Sequence, residues 1–319
     1  MQKVSLEAQV NEYQAGSRLD QVAAELFPDY SRARLQKWIK QGKLLVNGEK
    51  SQSKQKLLGD EQLSINATLE AQQEWQAEAL PLDIVFEDAD IMVLNKAAGI
   101  VVHPAAGNHS GTLLNALLHH CPELANIPRA GIIHRLDKDT TGLLVVAKTL
   151  SSHQALVADL QARELNREYQ ALVCGLVTAG GQVDEPLGRH PVQRKKRAVV
   201  RGSAGKHAVT HYRVLKKFRA HSLLQVKLET GRTHQIRVHM AHLGYPLLGD
   251  PLYGGRLKLP KAASPALIEC LKTFKRQALH AWKLGFMHPS TAQYMEWEVK
   301  LPDDMQSLIS ILEEDNALV

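Results

Sequence analysis

The sequence predicts an α+β fold: a small α/β module over residues 16–67, a linker over 68–81, and a larger domain over 82–319 on a mixed, mainly antiparallel β-sheet flanked by helices and loops. Three observations predict it. A chain of 319 residues suggests about two domains at ~150 residues each, and 44% apolar residues can bury a sizeable core. From residue 84 onward, alternating strand patterns outnumber helical ones, which argues against a doubly wound parallel sheet. Two short amphipathic helices and a hairpin signal stand apart from this, beyond a polar stretch.

In the first module Leu19, Val22, Ala23 and Leu26 recur at i, i+3, i+4, i+7 and predict a helix, broken by Pro28-Asp29-Tyr30. Ser31 can cap a second helix. There Leu35, Trp38 and Ile39 share one side, while Arg32, Arg34, Lys37 and Lys40 spread over the other. Gly42 ends it. Leu44-Leu45-Val46 runs as a strand into the two-residue turn Asn47-Gly48, and residues 62–65 form a later strand. Residues 68–81 are polar and acidic, with Trp75 as a packing tether.

The larger domain opens with strands over 84–86 and 91–96, a loop containing Val101-Val102-His103-Pro104 and Gly107, and a short helix over 113–118. Ile132-Ile133 and residues 143–146 read as buried strands, and a helix capped by Ser151-Ser152 runs to about residue 165. A strand over 167–173 sets Tyr169, Ala171 and Val173 on one face. The basic run R-H-P-V-Q-R-K-K-R-A-V-V-R over 189–201 reads as a loop, followed by strands near 209–214 and 223–228. Beyond lie a helix with Ile236, Met240 and Leu243 on one face, a turn-rich G-D-P-L-Y-G at 249–254, a helix near 266–276, strands near 279–286 and 294–299, and a last helix near 305–312.

Chemistry concentrates in the insert H-R-L-D-K-D-T-T-G, residues 134–142, which two apolar runs hold between them. Asp137 and Asp139 sit beside core strands, where a partly desolvated carboxylate needs a cationic partner or is driven neutral. Arg135 and Lys138 are local candidates, Arg232 and Arg237 remote ones. An ordinary turn, with Asp and Thr side chains bonding backbone amides and Gly142 supplying a positive φ, is the blander reading. A second string, L-E-T-G-R-T-H-Q-I-R-V-H-M-A-H-L-G over 228–244, shifts the balance, because a strand end and a helix start there present Arg232 and His234.

H-R-L-D-K-D-T-T-G-L-L-V-V-A-K, then R-E-Y-Q-A-L-V at 167–173 and T-G-R-T-H-Q-I-R-V-H at 230–239, together resemble the three signature segments of the RluA-type pseudouridine synthases, in the family's order. S-R-A-R-L-Q-K-W-I-K-Q-G-K-L-L-V-N-G at 31–48 resembles the S4 RNA-binding module. The resemblance implies conversion of uridine to pseudouridine in RNA, with the base detached at N1, rotated and rejoined at C5, and with neither cofactor nor metal. It makes Asp137 the essential carboxylate, which attacks C1′ or removes the C2′ proton. It gives Arg135 displacement of the base and sets Tyr169, otherwise an ordinary core residue, against that base. Arg232 would pair with Asp137 and hold it ionised, with Arg237 as the fallback.

RNA contacts are expected from Arg32, Arg34, Lys37 and Lys40 in the module, from Arg194, Lys195, Lys196 and Arg197 in the basic run, and from His134, His234 and Arg237 near the site. The members of the family that the chain most resembles imply large-subunit rRNA in the 50S precursor, at clustered uridines of the helix 69 stem-loop, with a role in ribosome assembly. Lys+Arg of 39 against Asp+Glu of 33 fits a polyanion partner, although a net +6 is also common on ordinary proteins.

Other classes fit less well. Asp139-Thr140-Thr141-Gly142 has no second copy, as an aspartic protease would need. A sugar hydrolase needs two carboxyls set across a cleft, which Asp137 and Asp139 seldom manage from one short loop. His234, His239 and His242 have usable metal spacing but no H-E-x-x-H or cysteine beside them. No G-x-G-x-x-G or G-K-[ST] loop suggests a nucleotide cofactor. A non-catalytic RNA-binding assembly factor is disfavoured because Asp137, Tyr169 and Arg232 are all intact. Three scattered cysteines point to a reducing cytoplasm, no apolar run reaches membrane-span or signal-peptide length, and nothing suggests more than a monomer.

Overall fold

The structure is a computed structural model that describes residues 2–28, 30, 32–69, 75–104 and 108–318. Asp29 and Ser31 of the expected helix break and cap, Gly107, and residues 70–74 of the expected linker lie outside them. The chain divides into two compact units, Met1–Glu74 and Trp75–Val319.

The first unit contains β1 (Gln2–Gln9), α1 (Leu19–Leu26), α2 (Arg32–Gln41), β2 (Leu44–Val46) and β3 (Gln62–Leu69). Its sheet has the order β1-β3-β2, antiparallel throughout. The apolar stripes of α1 and α2 meet Leu44, Val46, Leu63 and Ile65 in one core. Asn47 at φ 50° and Gly48 at φ 81° make the tight turn, which that dipeptide favours because both central residues need positive φ. Two features differ from expectation. β1 precedes residue 16 and pairs with β3 over eight residues, and β3 takes up positions 68 and 69, which had been read as linker.

On α2, Lys37 and Lys40 are exposed and Arg34 is half-buried. Arg32 is not the free phosphate contact that was expected. Its guanidinium lies 2.7 Å from the Asp20 carboxylate, which Arg18, at 2.9 Å, and Gln36 also bond. The reason is burial: the Asp20 side chain is wholly enclosed and requires donors. Burial alone would raise its pKa, but the hydrogen bonds from Arg18, Arg32 and Gln36 outweigh this and lower it to about 2. A depressed folded-state value gives stability that is complete above the ordinary carboxylate range and is lost as pH falls through about 2. Asp20→Asn should therefore flatten the acid limb of the first unit's unfolding between about pH 4 and pH 2, read by circular dichroism. An unchanged limb would exclude Asp20 as its source.

The second unit contains, in order, β4 (Ile84–Glu87), β5 (Ile91–Lys96), α3 (Leu113–His120), β6 (Thr141–Ala147), α4 (Leu150–Ala162), β7 (Asn166–Cys174), β8 (Gly181–Asp184), β9 (Leu187–Arg189), β10 (Arg197–Val199), β11 (Val209–Lys217), β12 (His221–Leu228), α5 (Gln235–His242), α6 (Pro265–Thr273), β13 (Leu279–Met287), β14 (Tyr294–Glu298) and α7 (Asp303–Ala317). One nine-stranded sheet runs β4-β5-β6-β13-β7-β12-β11-β8, with β14 also pairing with β13. Among the described residues only β6 and β13 pair in parallel, over His280 and Ala281, so the sheet is mixed and mainly antiparallel. β14 takes over pairing from residue 283.

Strand alternation divides this unit's interior. Met92, Leu94, Leu144 and Val146 point into a core shared with α3, α5 and Tyr169. Ile91, Val93, Leu143 and Val145 point to the opposite face, against Leu156 of α4. β6 is buried on both faces, which is why its sequence is a continuous apolar run rather than an alternation.

Residues 75–81 join this unit: Trp75 packs edge-on against the His103 ring at 5.1 Å, and the Gln76 carbonyl accepts from Asn115 at 2.7 Å. The basic run expected as a loop holds a short hairpin instead, β9 against β10. Among the described residues no helix is long and apolar enough to cross a membrane.

Candidate active site

Two glycines fix the loop between Ile132 and β6. Ile132 bridges to Val146, and a Cβ on Gly131 or Gly142, both at positive φ, would collide with the carbonyls of Ala147 or Ala281. Between them the polar residues enter a cleft of about 730 Å³, lined also by Tyr169 and Arg167 of β7 and by residues 228–237. The loop is tied from behind. Gln277 donates to the Thr140 hydroxyl at 3.0 Å, Arg276 to the Asp139 carbonyl at 3.2 Å, and Thr141 bonds His280 at 2.8 Å.

Lys96, at the end of β5, is a further tie and is also buried. Its ammonium donates to the carbonyls of Ala97, Ile100 and Lys138, at 2.7, 3.1 and 2.9 Å. Burial pushes its pKa down to about 8, with the charges of Asp139 and Asp137 opposing the shift. A cation so placed fixes the backbone one residue beyond Asp137.

The Asp137 carboxylate is held from α5. Arg237 Nη1 lies 2.9 Å from Oδ2, and His234 Nε2 stands 3.9 Å from Oδ1. Arg237 is itself gripped twice by the fully buried Asp250, Nε at 2.7 Å and Nη2 at 2.9 Å. Burial works against the Arg237 charge, but the two carboxylates more than restore it and raise its pKa. Its guanidinium also lies 5.1 Å over the Tyr253 ring. The Tyr253 hydroxyl accepts from the Arg197 amide and bonds His234 Nδ1, each at 2.8 Å.

This corrects the expected pairing. Arg232 donates from Nε to the His207 carbonyl at 3.1 Å and stands at the cleft's edge, while Arg237 holds Asp137. The cause is the helix start: His234 adopts φ 59°, so the chain turns between Arg232 and α5, and the helix then points Arg237 inward. Arg237 is 4% exposed, so the RNA contact expected of it gives way to this ion pair.

His134 also differs, since its Nε2 accepts from the Val145 amide at 3.3 Å. Burial, with the charge of Arg167 beside it, pushes its pKa down to about 3, so the ring is a neutral brace. His234 stands beside Asp137 and Tyr253 and lines the cleft. Arg135 is exposed and lines the cleft. Tyr169 is 5% exposed; burial and the Asp137 charge raise its pKa, and Arg167 lowers it. Arg194 and Lys195 are exposed and Lys196 and Arg197 half-buried.

Among the described residues no cluster of His, Cys, Asp and Glu could hold a metal, and His239 of the suspected triplet is buried, bonded to Thr210 and the Glu185 carbonyl. Asp250, Tyr253, Lys96 and Arg167 were not foreseen as site residues. Residues 249–254 read as a turn, and Asp250 does accept the Leu252 and Tyr253 amides, which concealed its second task.

The RNA pseudouridylate synthase family model matches residues 90–242, and the S4 domain model residues 17–63. The chain is 58% identical over 300 residues to ribosomal large subunit pseudouridine synthase D of Pseudomonas aeruginosa, covering 94% of this chain and 93% of that one. The chain belongs to the RNA pseudouridylate synthase family. The synthase D of Escherichia coli K12 is 55% identical, with 98% of this chain and 96% of the relative aligned. The solved human RNA pseudouridylate synthase domain containing 4 superposes at a TM-score of 0.58 over 72% of this chain and 93% of its own, at 24% identity, and shows the shared fold. As a pseudouridine synthase the chain is an isomerase, and the cleft around Asp137 is its candidate active site.

Proposed function

We propose that the chain isomerises clustered uridines in the helix 69 stem-loop of large-subunit rRNA, on the 50S precursor, in the cytoplasm and as a monomer, and so supports assembly of the subunit. The two relatives above are named for the ribosomal large subunit, and the chain aligns with them over nearly its whole length. The observation that carries the reading is one carboxylate, Asp137, ion-paired at 2.9 Å to a buried arginine and opening into the cleft that Tyr169 lines.

In this reading the target uridine leaves its stack and enters the cleft. Arg135, exposed and lining the cleft, fills or defends the vacated position in the RNA. Asp137 either bonds to C1′ or takes the proton from C2′, and either route frees the base at N1. Tyr169 packs on the base while it rotates, and C5 then joins C1′ and loses its proton. Arg237 positions Asp137, and Asp250 and Tyr253 position Arg237. Lys37 and Lys40 in the first unit and Arg194 and Lys195 in the second supply exposed phosphate contacts that do not read sequence. Arg34, half-buried, borders the first set.

The experiment is mapping of pseudouridines by carbodiimide-dependent primer stops in rRNA from a strain lacking this protein. Stops at the helix 69 uridines should vanish and return on complementation. Stops that persist there and disappear elsewhere in rRNA or tRNA would overturn the assignment of substrate.

A further inference from the structure

Of the two buried arginines among the described residues, Arg237 meets two carboxylates. Arg167 meets none. It is 5% exposed, its Nε is enclosed without a hydrogen-bond partner, and no ion pair from a described residue reaches it. β7 sets it two residues from Tyr169 on the same buried face, and both side chains line the cleft. The guanidinium lies against Gly231 of the T-G-R turn, where a Cβ would come within 2.8 Å of Nη1. An unpaired buried charge is strongly unfavourable, so a group arriving with the substrate is the natural counter-charge.

We propose that Arg167 is a catalytic residue that binds O2 of the target uracil and stabilises the negative charge the base acquires when it leaves C1′. This rests on the reaction given under Proposed function. When the C1′–N1 bond breaks, its electron pair passes to N1 and by conjugation to O2. C1′ gains a bond to an Asp137 oxygen, or C2′ gives its proton to Asp137. After rotation C5 bonds to C1′, the Asp137 bond breaks or the proton returns to C2′, the C5 proton goes to solvent, and N1 takes up a proton from solvent. Nothing is oxidised or reduced.

Position favours the base over a phosphate as the partner. Arg135, Arg194 and Lys195 are exposed, as suits a hydrated backbone, whereas Arg167 is enclosed beside the tyrosine that meets the base. Its neighbour His134 is neutral, so one positive charge faces one developing negative charge.

The test is a cycle of enzyme and substrate changes, read as single-turnover release of tritium from C5 of the target uridine in an rRNA transcript. Arg167→Met should slow release roughly 10²- to 10³-fold, the usual loss for removing a donor to developing negative charge, with RNA affinity within about threefold. Arg167→Lys should recover part of the rate and serves if the methionine variant does not fold. Placing 2-thiouridine at the target, whose sulfur accepts hydrogen bonds poorly, should slow the wild type at least about tenfold and leave Arg167→Met unaffected. Equal slowing of both enzymes, a near-wild-type rate in Arg167→Met, or lost RNA affinity with a shallower salt dependence would overturn the proposal. Absence of tritium release from the wild type would instead remove the underlying substrate assignment.

Discussion

Asp137→Asn is expected to abolish tritium release from C5-labelled uridine, a loss on the order of 10⁴-fold or more, as when the central group of a catalytic set is removed. The amide keeps the shape of the side chain but can neither bond to C1′ nor hold the C2′ proton. RNA affinity should stay within about threefold, because Lys37, Lys40, Arg194 and Lys195 are exposed and are not among the residues that line the cleft. The variant should also fold, since Arg237 keeps both of its bonds to Asp250. Filter binding beside tritium release separates the two effects. Release above background would exclude Asp137 as the reacting carboxylate.

Asp250→Asn is expected to cost about 10²-fold in turnover without Asp250 touching substrate. Its two oxygens fix Nε and Nη2 of Arg237, and this presents Nη1 to Asp137. An asparagine offers one acceptor and turns an NH₂ toward the guanidinium, so Arg237 rotates and Asp137 loses its position. A displacement near 1 Å at a reacting group costs about that factor. Arg237, 4% exposed, would keep one full counter-charge of two, and breaking a buried ion pair destabilises by roughly 3–5 kcal/mol. For a unit of this size that corresponds to a melting point roughly 6–20 °C lower. Calorimetry and single-turnover kinetics should show both effects, with the KM for RNA little changed. Full turnover with normal stability would contradict the relay from Asp250 to Asp137.

What the sequence revealed and concealed follows from the range of the forces involved. The stripe Leu19, Val22, Ala23 and the alternation of Met92 and Leu94 against Ile91 and Val93 are local patterns, and the structure buries them as spacing requires. β1 was missed although Val4, Leu6, Ala8 and Val10 alternate with polar residues, because it is an edge strand with Leu6 exposed and its partner β3 lies far along the chain, with no hairpin turn joining them. The partner of Asp137 was named only as the fallback, behind Arg232, because a contact 100 residues away depends on helical phase. Arg232 is the first cation after the turn, but Arg237, one step from Ile236 and three from Met240, borders the apolar face of α5 and is carried inward. A cation at the border of a buried stripe is a legible signal that a carboxylate waits opposite. Arg32 misled in the reverse direction: its basic face looked solvated, while the enclosed Asp20 on α1 claimed it.

The most direct test of the account compares Arg237→Lys with Arg232→Lys in single-turnover tritium release at saturating enzyme. A lysine at 237 cannot bond Asp137 and grip Asp250 twice, so the rate constant should fall at least about 10²-fold. At 232 it loses only a bond to the His207 carbonyl, and the rate constant should stay within about fivefold. A wild-type rate constant in Arg237→Lys with a collapsed one in Arg232→Lys would contradict the account.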